Sequence, residues 1–116
     1  MKTILALEEM AEFVLGILIF SRLEFAWWYF PALLLTPDLG MLGYLVNTKI
    51  GAWLYNFVHH KALGISMLVL GFYLQNQVIL LVGTILFAHS AFDRMMGYGL
   101  KYEDSFGNTH LGKIGK

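Results

Sequence analysis

The chain contains no cysteine among its 116 residues, which excludes disulfides and any thiolate metal site. It is also poor in charge. Only 14% of residues are Asp, Glu, Lys or Arg, and eight bases offset eight acids to a net charge of zero. That balance offers no basic surface to nucleic acid, so none is expected as a partner. A soluble domain of this size needs more charged surface than this. Proline is scarce as well, and both copies, Pro31 and Pro37, fall in one stretch of sequence.

What fills the chain instead is apolar: 58% of residues are hydrophobic, 16% are aromatic, and the mean hydropathy is +0.63. The expected fold class is all-α, a compact integral membrane domain. Four apolar stretches cover residues 3–20, 25–46, 50–72 and 77–97. Each is about 20 residues long, enough to cross about 30 Å of hydrocarbon. Short polar breaks separate them at Ser21–Glu24, Asn47–Lys49 and Gln75–Gln77. Such connections force neighbouring helices antiparallel and predict an up-down four-helix bundle over residues 1–97. Pro31, Pro37 and Gly40 predict a kink in the second helix, or its division into two half-helices. Trp27, Trp28, Tyr29 and Phe30 read as an interfacial aromatic belt. Glu8, Glu9 and Glu12 interrupt the first apolar run, and no small-residue cleavage site follows, so the N-terminus is read as retained.

Basic residues set the expected orientation. With four crossings, Lys2, Lys49, Arg94, Lys101, Lys113 and Lys116 share one side and Arg22 stands on the other. The positive-inside rule then places both termini in the cytoplasm of a bacterial inner-membrane protein.

Against this apolar background, Glu8, Glu9, Asp38, Asn56, His59, His60, His89 and Asp93 are conspicuous. A charge in hydrocarbon costs roughly 2.5 to 3.5 kcal/mol on insertion scales unless it faces a protein interior. Threaded through the expected topology, most of these residues lie about 6 to 15 Å below the cytoplasmic boundary, at 1.5 Å per residue. Their coincidence in one layer points to a polar site in the cytoplasmic half of the bundle. His89 and Asp93 stand one helical turn apart, as do Asn56 and His60. His59 and His60 point about 100° apart, and spacing does not decide which of them faces the site. His60 shares a stripe with Gly64 and Gly71 that reads as a close helix–helix face, whereas His59 shares one with Ala52, Tyr55 and Ser66.

The runs Leu7-Glu8-Glu9, Pro37-Asp38-Leu39-Gly40, Tyr55-Asn56-Phe57-Val58-His59-His60, Ala88-His89-Ser90-Ala91-Phe92-Asp93-Arg94 and Gly97-Tyr98-Gly99 carry a resemblance. In order, and with the ending Phe106-Gly107-Asn108-Thr109-His110-Leu111-Gly112, they resemble the bacterial membrane family catalogued as domain of unknown function 4260. The resemblance implies the membrane fold over nearly the whole chain and supplies no activity. Its motifs mark Glu8, Asp38, Asn56, His59, His89, Asp93 and His110.

Imidazole nitrogens with carboxylate oxygens and no thiolate suit zinc, manganese or iron. His59, His89 and Asp93 are the expected ligands, with His110 completing the set, and Glu8 and Asp38 are further ligands or general bases. A metal so held would make the protein a metal-dependent membrane hydrolase, cutting an ester or phosphoester dissolved in the bilayer. Arg94, with Lys61 or Lys101, would hold a phosphate or lipid headgroup, and Asn56 and His60 belong to the surrounding polar layer. Other classes stay open: haem or quinone binding between two histidines, a proton relay in a homodimer, or an accessory subunit of a larger membrane complex. Residues 98–116, rich in glycine and tyrosine, are expected to form an ordered cytoplasmic tail that folds back under the mouth and brings Thr109 and His110 toward the site.

Overall fold

The computed structural model describes residues 2–96, 100, 108–109 and 111–113. The chain is all-helical apart from a small hairpin near its end. Its elements are α1 (Lys2–Ser21), α2 (Tyr29–Leu33), a 3-10 helix (Thr36–Leu45), α3 (Thr48–His59), α4 (Lys61–Leu74) and α5 (Gln77–Met95). Strands β1 (Asn108–Thr109) and β2 (Gly112–Lys113) pair antiparallel.

Local chemistry explains most of the boundaries. Asn47 and Asn76 cap α3 and α5, each accepting a bond from the backbone N–H three residues on, at 2.8 and 3.0 Å. α4 stops where Gln75 enters the left-handed region at φ 53°, and Asn76 N–H returns to the Gly71 carbonyl at 2.9 Å. Two residues thus suffice to reverse the chain between α4 and α5.

α5 is the central helix, packed against α1 on one side and α4 on the other. Both pairs are antiparallel: Gly16 lies at Ala88 and Phe13 at Phe92, while Gly64 lies at Phe87 and Gly71 at Leu80. Contact with α4 is backbone-close. A Cβ on Gly64 or Gly83 would come within 2.7 Å of a backbone nitrogen of the facing helix, Phe87 or Leu68 respectively. The Gly64 and Gly71 stripe is therefore the close helix face that their spacing suggests. α3 packs chiefly on the 3-10 helix, with Gly51 beneath the Tyr44 ring.

Four continuous crossings do not form. Residues 25–46 divide into a five-residue helix and a 3-10 helix, because Pro31 and Pro37 deny backbone donors and crowd the preceding turn. The third stretch breaks at His60, which is extended at φ −83° and ψ 123°, and the two halves bend by 41°. No proline or glycine marks this break. Among the described residues only α5 is by itself long and apolar enough to cross a membrane; α3 and α4 reach that standard together, as one bent span. α1 has the length but carries Glu8, Glu9 and Glu12. The outer surface is nonetheless strongly apolar, with Leu7, Leu18, Trp53, Phe57, Val69 and Val78 all exposed.

The α4–α5 contact leaves no room for a methyl group. Gly83→Ala is expected to destabilise the fold by about 1–3 kcal/mol, whereas Ser66→Ala on the exposed side of α4 is expected to change little. Thermal or denaturant unfolding of the two variants side by side checks this.

Candidate metal centre

Four side chains from three elements meet at the end of α5. Asp38 comes from the 3-10 helix, His59 from the last position of α3, and His89 and Asp93 from successive turns of α5. Their ligand atoms all lie within 4.8 Å of one another. Among the described residues this is the one group of three or more His, Asp and Glu side chains so gathered.

Each imidazole is oriented by a backbone carbonyl. His59 Nδ1 lies 2.9 Å from the Tyr55 carbonyl one turn earlier, and His89 Nδ1 lies 2.6 Å from the Leu34 carbonyl. A carbonyl only accepts, so each Nδ1 carries the hydrogen and donates it. In the neutral ring the lone pair is then on Nε2. The Leu34 carbonyl is available because of the break at Pro37: the N–H of Asp38, which a continuous α-helix would return to Leu34, bonds Leu35 instead at 3.1 Å. A kinked segment thereby supplies the anchor that turns His89 inward.

The two Nε2 atoms face each other at 2.9 Å. Asp38 Oδ1 stands 3.3 Å from His59 Nε2 and 3.1 Å from His89 Nε2. Asp93 reaches the same two nitrogens at 3.3 and 3.4 Å, one with each oxygen. Two lone pairs and two carboxylates converge, all of them acceptors. His59, His89 and Asp93 are buried, whereas the Asp38 side chain is 41% exposed and forms the open side.

Tyr55 holds this arrangement from behind. Its ring stacks on His59 with centroids 3.8 Å apart and planes 6° from parallel, and its hydroxyl donates to Asp93 Oδ2 at 2.5 Å. The phenol therefore fixes one ligand by its face and another by its oxygen. Sequence reasoning did not select it, although its position one turn before His59 on the same stripe is the signal. Arg94 donates from Nη2 to the His59 carbonyl at 2.9 Å, covering the end of α3 where the helix breaks.

Other expected site residues lie elsewhere. Glu8 is exposed on α1, outside the group; His60 is exposed at the break and Asn56 half-buried on α3, and neither joins the group. His110 falls outside the described residues. Glu9 and Glu12 form ion pairs with Lys61, Glu12 at 2.8 Å, so the acidic start of α1 is tied to the start of α4.

The chain belongs to the family described as domain of unknown function (DUF4260), whose model matches residues 2–114. No curated protein and no solved structure matches it.

Four acceptors in contact repel when nothing cationic lies among them. In Asp93→Asn the amide oxygen can still accept from Tyr55, and the amide nitrogen adds a donor beside Nε2. The chelator-treated variant is therefore expected to be at least as stable as chelator-treated wild type, by about 1 kcal/mol, while binding metal more weakly. Unfolding with and without chelator checks both halves.

Proposed function

We propose that Asp38, His59, His89 and Asp93 bind one divalent transition metal, and that the ion serves hydrolysis of an ester or phosphoester dissolved in the membrane. The observation that carries this is the meeting of two Nε2 lone pairs with two carboxylates while both Nδ1 hydrogens are held by backbone. Oxygen and nitrogen donors without thiolate fit zinc, manganese or iron. A tetrahedral ion with bonds of about 2.0–2.1 Å separates its ligands by about 3.3 Å; here each Nε2 stands 2.9 to 3.4 Å from the other and from an oxygen of each carboxylate, and all four ligand atoms lie within 4.8 Å. Charge also agrees: two carboxylates and two neutral imidazoles balance a divalent cation in a buried place. Outer contacts from Tyr55, Leu34 and the Tyr55 carbonyl are of the kind that orient metal ligands.

Three of the four are buried and Asp38 is half exposed, so water would reach the ion on the Asp38 side, as a fifth ligand or in place of Asp38. A divalent ion bound there supplies a Lewis acid and acidifies water. Asp38, once displaced from the ion by that water, would be the carboxylate placed to take the proton. The 2.9 Å separation of the two Nε2 atoms leaves no room for a porphyrin between them, so the haem alternative does not suit this geometry. It does suit a single proton shared by the imidazoles, and a proton relay is the competing reading.

The exposed apolar side chains of every long helix support a bilayer as the surrounding medium. In that medium α1 and α4 would cross in one direction and α5 in the other, with the metal group toward the end that holds the α1 N-terminus. By the positive-inside rule the basic residues would put that end in the cytoplasm of a bacterial inner-membrane protein.

Elemental analysis of purified wild type and His89→Ala tests the metal. Zinc, manganese or iron near one per chain, lost in the variant and without a haem absorption band, is the expected result. A metal-free wild type that also takes up none of the three on dialysis overturns the proposal in favour of the shared proton. Membrane residence has its own check: the protein should stay with the membrane pellet through an alkaline carbonate wash, and its release would overturn a spanning arrangement.

A further inference from the structure

Beside the metal group, on the far side of the helix break, lies a cleft of about 440 Å³ lined by Leu5, Glu9, His60, Lys61, Arg94, Leu100 and Leu111. Small-molecule sites commonly enclose about 300 to 1,000 Å³. The lining is divided in character. Lys61, Arg94 and His60 come from the break and the end of α5, whereas Leu5 comes from the first turns of α1 and Leu100 and Leu111 from the chain after α5.

Arg94 and Lys61 line the cleft with Glu9; Lys61 is already paired with Glu9 and Glu12, so an anion there would be met chiefly by Arg94. The leucines supply what a headgroup alone would not use. Arg94 joins this cleft to the metal group directly, since it bonds the carbonyl of the ligand His59 and follows the ligand Asp93 in sequence.

We infer that this cleft binds a single-chain anionic amphiphile, its phosphate or carboxylate head at Arg94 and its alkyl chain against Leu5, Leu100 and Leu111. As the seat of a substrate the cleft rests on the metal reading above. As a binding site it stands without the ion.

Native mass spectrometry of the full chain in an uncharged maltoside detergent, with dodecyl phosphate as the probe, tests the inference. One dodecyl phosphate per chain is expected to remain bound to wild type and also to His89→Ala, which separates this result from the fate of the metal. Leu5→Glu combined with Leu111→Glu places carboxylates in the cleft and should weaken retention roughly tenfold or more. The milder Leu111→Ala, checked by an unchanged thermal midpoint, should weaken it by a smaller factor. Inorganic phosphate should compete poorly, because it cannot use the leucines. Equal retention by wild type and both variants would overturn the assignment, leaving only partition into detergent. Full displacement by inorganic phosphate would overturn the amphiphile in favour of a simple anion site.

Discussion

An imidazole whose Nδ1 hydrogen is already given to a backbone carbonyl has only a lone pair left to offer, and two such rings cannot satisfy each other. His59 and His89 are in that position at 2.9 Å, with a carboxylate on either side. Everything around them works to keep this unfavourable meeting in place. Tyr55 presses on one ring and holds one carboxylate, the carbonyl of Leu34 fixes the other ring, and Arg94 closes the end of α3. Acceptor groups at such distances need a cation among them, and a buried group of this kind is costly to maintain without one. For the proposed metal, the donor set and its charge suit a divalent ion better than a monovalent one.

The fold brings these groups together by breaking helices where longer ones could have formed. Had residues 25–46 made one continuous helix, the Leu34 carbonyl would be spent within it and Asp38 would sit on an ordinary helical turn. Had α3 run unbroken into α4, the His59 carbonyl would accept within the helix and not from Arg94. Rigidity comes instead from α5, which carries two of the four ligands and is gripped by α4 through glycines with no space to spare. Precise placement of ligands on a rigid central helix, with the remaining two delivered by broken segments, leaves Asp38 as the member nearest solvent.

Several of these features were legible in the sequence. The apolar runs at 3–20 and 77–97 correspond to α1 and α5, and polar residues rare in such runs identified all four members of the group. Spacing one turn apart predicted that His89 and Asp93 share a face. Spacing left open which of His59 and His60 faces the site; the fold brings His59 into the group and leaves His60 exposed at the break. What periodicity could not show was the break at His60. Neither residue there is a helix breaker, and the carbonyl that the break frees, that of His59, accepts from Arg94 on another helix. Tyr55 escaped notice for a related reason: a tyrosine in an apolar run reads as packing until its hydroxyl is seen to meet a carboxylate. Glu8 was selected by type and depth, yet helical phase places it on the exposed side of α1, while its neighbours Glu9 and Glu12 turn toward Lys61.

Charge placement unites these observations with an apolar exterior. Glu9, Glu12 and Lys61 pair across α1 and α4, Arg94 stands between Asp93 and the cleft, and Asp38 and Asp93 share the two imidazoles. Nearly all the strongly polar chemistry of the helical core is therefore confined to one end of the three long helices, and the remaining length is hydrocarbon. A structural role would be served as well by apolar packing, since a buried ion pair or triad can often be replaced by hydrophobic residues of similar volume without loss of stability. Retaining so many charges at one end, around two inward-facing imidazoles and next to an amphiphilic cleft, is economical only if something polar is bound there.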